Sequence, residues 1–301
     1  MKKNSLYLAF SCGLLLFNSC TNSKTYQEEV APMYIDESFK PLFETSIPTF
    51  ESQISDGKIE PHYVSELEAI QAFSDNKTKT ICITREFTQT EIENFRKKNV
   101  EFTMDYVGND ALALIVHPTA KDSAFTLDEL KAIFSGKTTE WASTKKKMTI
   151  VFDQSNSANF YYMYNLIDKQ QISPNITAVK SNEEVIEIVR KDPNAMGVIG
   201  ANWINDERDT TMLKFKDGIK VCDIAKNQYA EYFRPYAAYI YGDIYPLTRK
   251  FYIINKASNT SVNSQFVRFM TNPQKGQLII YRSNLIPAKM MQREIQVVVE
   301  K

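Results

Sequence analysis

The chain has 301 residues, room for two ordinary domains. Its hydrophobic content of 43% and charged content of 24% fit a globular protein. Formal charge is zero, which speaks against a nucleic-acid partner on electrostatic grounds.

The first twenty residues differ from the rest. Lys2 and Lys3 precede an apolar run from Leu6 to Phe17, "LYLAFSCGLLLF". A bilayer span needs about 20 such residues, so this run is too short to cross and has the length of a signal-peptide core. It ends at "FNSC", where Cys20 follows a small serine. The stretch resembles a bacterial lipobox, although Phe17 and Asn18 depart from the usual pattern. That resemblance implies loss of residues 1–19 and a diacylglycerol on Cys20; a plainly cleaved secretory leader is the alternative. Removing 1–19 takes away two lysines and no acid, leaving 34 basic residues against 36 acidic ones. Residues 20–30 are polar, lack apolar periodicity and read as a tether.

From there strands and helices alternate. "MYIDES" reads as a short strand, and a helix opens near Ser38 with Phe39, Leu42, Phe43 and Ile47 on one side. Pro48 inside that pattern predicts a kink. "KIEPHYV" and "KTICIT" read as strands, with a helix between them capped at Ser65. Thr88 with Glu91, and Thr126 with Glu129, have the spacing of capping boxes; Gly136 stops the second of these helices. "ALALIVHP" is almost continuously apolar, as a strand covered on both faces would be. "MTIVFD" is a strand running straight into "QSNSANFYYMYNLI". "SNEEVIEIVRK" is a capped helix that ends before Pro193, and a strand follows. "YPLTRKFYIIN" is a further strand, and two helices with a short extended end close the chain. The alternation predicts an α/β fold of two mixed sheets flanked by helices, and the length calls for two lobes. Cys82 and Cys222, the two cysteines of the body, are expected as free thiols.

A strand that ends in small polar residues and turns into a helix offers unpaired N–H groups and a partial positive charge, which suit an anion. The pattern occurs around Ser38, Ser65 and Ser157. Each serine taken alone is accounted for by capping its own helix. Enzyme chemistry finds little support. His62 and His117 have no cysteine or metal-spaced partner, and no G-x-S-x-G, G-x-G-x-x-G or P-loop occurs. Neither a metal nor a cofactor is implied. The acidic pairs Asp36–Glu37 and Glu183–Glu184 stand at element starts, where they serve helix dipoles. The tyrosine-rich "YAEYFRPYAAYIYGDIYP" reads first as packing at a lobe junction. Its second reading is a hinge whose tyrosines and Arg234 reach toward a ligand.

"TLDELKAIFSGKTTEW" carries Thr126, Leu127, Ile133, Phe134, Ser135, Gly136, Lys137 and then Trp141. "DALALIVHP", "NEEVIEIVRKDPNAMGVIGANWI", "YPLTRKFYII" and "FVRFMTNPQKGQLIIYRSNLIPA" bracket or follow it along the chain. On these segments residues 31–290 resemble PstS, the phosphate-binding protein family of the phosphate ABC transporter. The resemblance implies a two-lobed, type II periplasmic-binding-protein fold with a double-crossover hinge and an anion buried between the lobes. Lobe 1 would comprise 31–113 with 243–301, and lobe 2 would comprise 114–242. The anion would lie on Ser38 and Phe39, near Ser65, and on Ser157, Ala158 and Asn159, which match the family's Ser-Gly-Thr turn.

Two charges depart from that family. Its third-loop arginine is Asp153 here, and its proton-accepting acid falls at about Arg85. Arg85 is therefore expected to clamp the oxyanion, with Asp153 accepting a phosphate proton or pairing with Arg85 on closure. The alternative leaves Arg85 outside the cleft and Asp153 as a turn residue. The resemblance further implies phosphate or a related oxyanion as ligand, an ABC permease as partner, a monomer, and no enzymatic step. It puts the protein on the periplasmic side of a membrane, held by the lipid on Cys20. An envelope sensor or interaction protein on the same fold is the alternative function. A hydrolase lacks a nucleophile–base pair.

Overall fold

The computed structural model describes residues 29–55, 57–204 and 216–289. The leader, Cys20 and the tether as far as residue 28 lie outside the described residues. In chain order the first elements are β1 (Glu29–Asp36), a 3-10 turn (Glu37–Phe39), α1 (Lys40–Glu51), β2 (Gly57–Val64), α2 (Glu66–Ser74), β3 (Thr80–Ile83), α3 (Gln89–Lys97) and β4 (Thr103–Val116). There follow β5 (Ala124–Thr126), α4 (Leu127–Phe134), β6 (Thr149–Phe152), α5 (Ala158–Leu166), β7 (Ile176–Ala178), α6 (Asn182–Lys191), β8 (Ala195–Gly200) and a second 3-10 turn (Ala201–Trp203). The remainder is β9 (Lys220–Val221), β10 (Asp223–Ala225), α7 (Ala237–Tyr241), β11 (Thr248–Asn255), α8 (Val262–Met270), α9 (Gly276–Arg282) and β12 (Ile286–Pro287).

β1, β2 and β3 are parallel and joined by helices, so they lie in the order β2-β1-β3. Alternation along these strands builds two cores, one on each face. Met33, Ile35, Cys82, Phe251 and Ile253 pack with Phe39, Phe43, Phe50 and Phe266 of the helices on one side. Ile81, Ile83, Tyr252 and Ile254 pack with Phe73, Phe87 and Phe95 on the other. The second sheet region has order β4-β8-β6-β7, with β6, β7 and β8 parallel and α5 and α6 between them.

β4 belongs to both regions. Thr103 to Ala111 pairs with β11, whereas Leu112 to Val116 pairs with β8. Every residue from Ala111 to Val116 is fully buried, which explains the unbroken apolar run there. β11 returns antiparallel between β3 and β4. The sequence thus yields a two-lobed α/β fold in which two strands carry the chain across the middle.

Local signals mostly hold. Both capping boxes form, with Thr88 and Glu91 at α3 and Thr126 and Glu129 at α4. Cys82 and Cys222 are buried and unpaired. Two details differ. β1 opens at Glu29, inside the segment read as tether. α1 runs from Lys40 to Glu51 with Pro48 inside it, so the proline does not end the helix. The acceptor that proline leaves without its helical donor belongs to Glu44, whose side chain is 54% exposed, so water reaches that turn. Among the described residues no helix is long and apolar enough to cross a membrane.

Candidate functional site

Five segments meet where the two sheet regions face each other. From the first come the turn after β1 and the return strand β11. From the second come the β6–α5 junction, the start of α6 and the turn after β8. Ser157 is the N-cap of α5: its Oγ accepts from Phe160 N at 3.1 Å and donates to Asp153 Oδ1 at 2.6 Å. Ala158 opens the helix, and Asn159 is fully buried on its first turn. Ser38 is also fully buried, and its Oγ donates to Asn159 Oδ1 at 3.2 Å. Phe39 lies under the guanidinium of Arg249, 5.7 Å from ring centre to Cζ.

Ser65 does not join this cluster through any hydrogen bond. It caps α2, accepting from Glu68 N at 3.2 Å. The Arg85 expectation needs correction. Its Nε bonds Glu66 Oε1 at 3.1 Å, and its two terminal nitrogens bond Glu91 at 2.8 and 3.0 Å. An arginine so fully occupied by two carboxylates makes no pair with Asp153. Asp153 is buried; its Oδ1 accepts from Ser157 Oγ at 2.6 Å and its Oδ2 from Asn182 Nδ2 at 3.4 Å.

The arginine that stands in the cluster is Arg249 of β11. Its Nε and Nη2 donate to Asp110 Oδ2 at 3.0 and 2.8 Å, and its Nη1 donates to Asn159 Oδ1 at 2.8 Å. Asp110 is its cross-strand partner in the β4–β11 register, so the pairing follows from sheet geometry. The sequence held a partial signal: an aspartate, Asp110, at the head of the buried run, and two adjacent basic residues in β11, of which only Arg249 turns inward.

Asn182 is the other residue that sequence reasoning missed. Its side-chain amide accepts from Gly200 N at 3.1 Å and from Asn159 Nδ2 at 3.2 Å. Its backbone N donates to Glu37 Oε2 at 3.1 Å, and its Nδ2 donates to the same oxygen. Glu37 therefore does not serve its own turn; it reaches across to the first residue of α6. Asp36 stays local, accepting from Ser38 N at 3.1 Å. The second oxygen of Asp36, Oδ2, is buried without a hydrogen-bond partner.

Three buried carboxyls, Asp110, Asp36 and Asp153, thus feel the Arg249 guanidinium, and Glu37 lies beside Asp36 and Asp153. Burial pushes Asp36 up to about 7, against the pull of Arg249. Burial raises Glu37 to about 8, against its two hydrogen bonds from Asn182. Burial also lifts Asp153 and Asp110 above the ordinary carboxylate value. Around neutrality Asp36 and Glu37 hold protons for much of the time and can donate as well as accept. The site is consequently a set of hydroxyl, amide, guanidinium and carboxylic-acid groups at helix starts, suited to an oxygen-rich anion.

The tyrosine-rich segment divides. Tyr245 is buried and donates to Leu112 O at 2.8 Å, and Phe233 packs on Tyr239 at 4.7 Å. Arg234 is held by Asp223, at 2.9 Å from Nε to Oδ1, and Tyr229, Tyr232, Tyr236 and Tyr241 are exposed, so packing accounts for only part of the segment.

Residues 36–274 match a family model described as the PBP superfamily domain. The phosphate-binding protein PstS of Pseudomonas aeruginosa is 23% identical over 239 residues, covering 71% of this chain and 70% of that one. PstS of Borreliella burgdorferi is 22% identical over 300 residues, covering 95% and 99%. A Clostridium perfringens protein crystallised with bound phosphate superposes with a TM-score of 0.73 at 17% identity, over 87% of this chain and 100% of its own.

Proposed function

The chain belongs to the PBP superfamily, and on that premise we propose that it captures phosphate, or a kindred oxyanion, between its two lobes and hands it to an ABC permease. One observation carries the reading. Ser38 Oγ and Arg249 Nη1 arrive from separate elements and converge on a single acceptor, Asn159 Oδ1, at the N-terminus of α5. Two donors and a positive helix end around one oxygen make the environment that an oxyanion oxygen needs. Rotation of Asn159 releases both donors to a ligand. Arg249, not Arg85, is the cation assigned to the anion. Asp36 Oδ2, buried and lacking a donor, is assigned to a hydrogen-bearing oxygen of the ligand. Ser157 and Ala158 supply the helix start, and Asp153 orients Ser157.

Binding of this kind uses oriented donors and lobe closure and involves no covalent step. The protein is proposed to act as a monomer on the periplasmic side of a membrane, tethered by a lipid on Cys20. The lobe boundaries are assigned near residues 112 and 247, where Leu112 N bonds Leu247 O at 2.9 Å.

Isothermal titration of residues 24–301 with phosphate, sulfate and arsenate tests the reading, after unfolding and dialysis to strip any carried ligand. Phosphate is expected to bind the parent and to lose affinity in Arg249→Gln and in Ser157→Ala. A folded parent protein that gives no heat with any of the three anions overturns the assignment.

A further inference from the structure

We propose that Glu37 is a clasp that closes the two lobes on its own account, and so a positioning residue that sets how much of a ligand's binding energy survives closure. Closure by Glu37 is independent of the ligand; its effect on affinity rests on the oxyanion reading above.

The first N–H groups of any helix lack partners within it. At α1 the N-cap residue is Phe39, whose side chain cannot accept a hydrogen bond. The acceptor comes instead from the other lobe: Leu42 N donates to Asn202 Oδ1 at 3.1 Å. At α6, Ser181 takes Glu184 N at 3.2 Å and leaves the first N–H, that of Asn182. That group donates to Glu37 Oε2 from the first lobe at 3.1 Å. Each lobe thus caps a helix of the other. Opening the cleft strips both caps at once, and both helix ends must then find water.

Two further features show that the contact is built closely. A Cβ on Gly200 would lie 3.0 Å from Ser38 Cβ, so the glycine lets the two backbones meet there. Glu37 itself is 5% exposed, a degree of burial rare for a glutamate without a partner. Of the two trans caps, Asn202 is neutral at every pH and Glu37 is not. The clasp therefore has one titratable member.

The sign follows from its surroundings. Facing Glu37 are Asp36 on its own turn and Asp153 at the end of β6, both of which oppose its ionisation. Arg249 of β11 and Glu66 of α2 act on Asp36 beside it. Glu183 and Glu184 on the first turn of α6 are exposed, and Lys180 before that helix gives its backbone N to Glu184. In the closed cleft the Glu37 carboxyl rises from 4.5 to about 8. Closure hence binds a proton. It is strongest below the ordinary glutamate value of 4.5 and is lost as pH rises to about 8.

Small-angle scattering without ligand tests the clasp, on residues 24–301 stripped as above. The parent, Glu37→Gln and Glu37→Ala are compared at pH 6. Glutamine reproduces the neutral acid and keeps an acceptor for Asn182; alanine removes it. The parent and Glu37→Gln are expected to share one compact radius, and Glu37→Ala to expand. Equal radii for all three overturn the proposal. Should Glu37→Ala fail to fold by circular dichroism, the pH arm decides. In an Asp36→Asn background, which silences the neighbour raised to about 7, the protein that keeps Glu37 should expand progressively as pH rises from 4.5 towards 8. The Glu37→Gln protein should show no such expansion, and an expansion of the same size in both overturns the clasp. Phosphate affinity at pH 6 should fall about tenfold in Glu37→Ala, the equivalent of roughly 1.4 kcal/mol, and be restored to within about twofold by Glu37→Gln. Tighter phosphate binding in Glu37→Ala would mean that Glu37 competes with the ligand, contrary to the proposal. A parent that binds no phosphate removes the oxyanion reading and leaves the scattering result standing.

Discussion

Replacing Arg249 by methionine keeps most of the side-chain stem and removes the charge. Arg249 Nε and Nη2 hold Asp110 Oδ2 at 3.0 and 2.8 Å, and both residues are buried. The substitution leaves a buried carboxylate with no counter-charge, which costs about 3–5 kcal/mol. That is a large share of the roughly 5–15 kcal/mol by which domains are stable. The deficit should depend on pH. Without Arg249 the folded-state value of Asp110 climbs further above its ordinary 3.8, because burial already raises it. A carboxyl with a raised folded value favours the fold below its unfolded value and loses that advantage as pH rises. Urea unfolding followed by circular dichroism should therefore show a smaller loss at pH 4 than at pH 8. Asp110→Leu combined with Arg249→Met should recover to within about 1–2 kcal/mol of the parent, since an apolar pair often replaces a buried ion pair without penalty. The double variant should still fail to bind phosphate. A single-variant loss below about 1 kcal/mol, or a double variant as unstable as the single, refutes the claim that this pair joins β4 to β11.

Asp36→Asn should flatten the pH dependence of stability between the ordinary value of 3.8 and about 7. Burial sets Asp36 at about 7, so its contribution favours the fold below 3.8 and declines as pH rises through 7. Each tenfold change in proton affinity is worth about 1.4 kcal/mol, which makes the effect a few kcal/mol. Urea midpoints that fall as steeply in the variant as in the parent from pH 3.8 to about 7 count against it. Thr126→Ala should cost about 1 kcal/mol by thermal melting, because it removes the acceptor for Glu129 N and the hydroxyl that Glu129 Oε2 holds at 2.9 Å. A change within error would mean that the cap is replaced by water.

The elements were legible because their signals are local. Thr88 with Glu91 and Thr126 with Glu129 announce helix starts within four residues, and "ALALIV" announces a strand covered on both faces. Ser157 was legible as a cap for the same reason. Arg249 and Asn182 were not, since their partners lie far off in sequence and meet only through sheet register and lobe contact. Arg85 misled because its position in a family pattern says nothing about its neighbours. Glu66 and Glu91, each set by a helix start, take up its guanidinium. Glu37 misled more subtly. Its place at an element start is real, but the helix whose end it serves is α6, 145 positions on.

The place of β11 between β3 and β4 bears on how the molecule is made. β3 and β4 have no bonds to each other; both wait for a strand that begins only at Thr248. As the chain emerges, the residues from Leu112 to Leu247 form a continuous stretch that can assemble from its own neighbours. The earlier strands β1, β2 and β3 meanwhile keep an open edge at β3, and β4 keeps another. Contacts of such long separation are slow to form, and open edges are where chains associate wrongly. The strand that covers the open edge of β3 is thus made only after the whole stretch from Leu112 to Leu247.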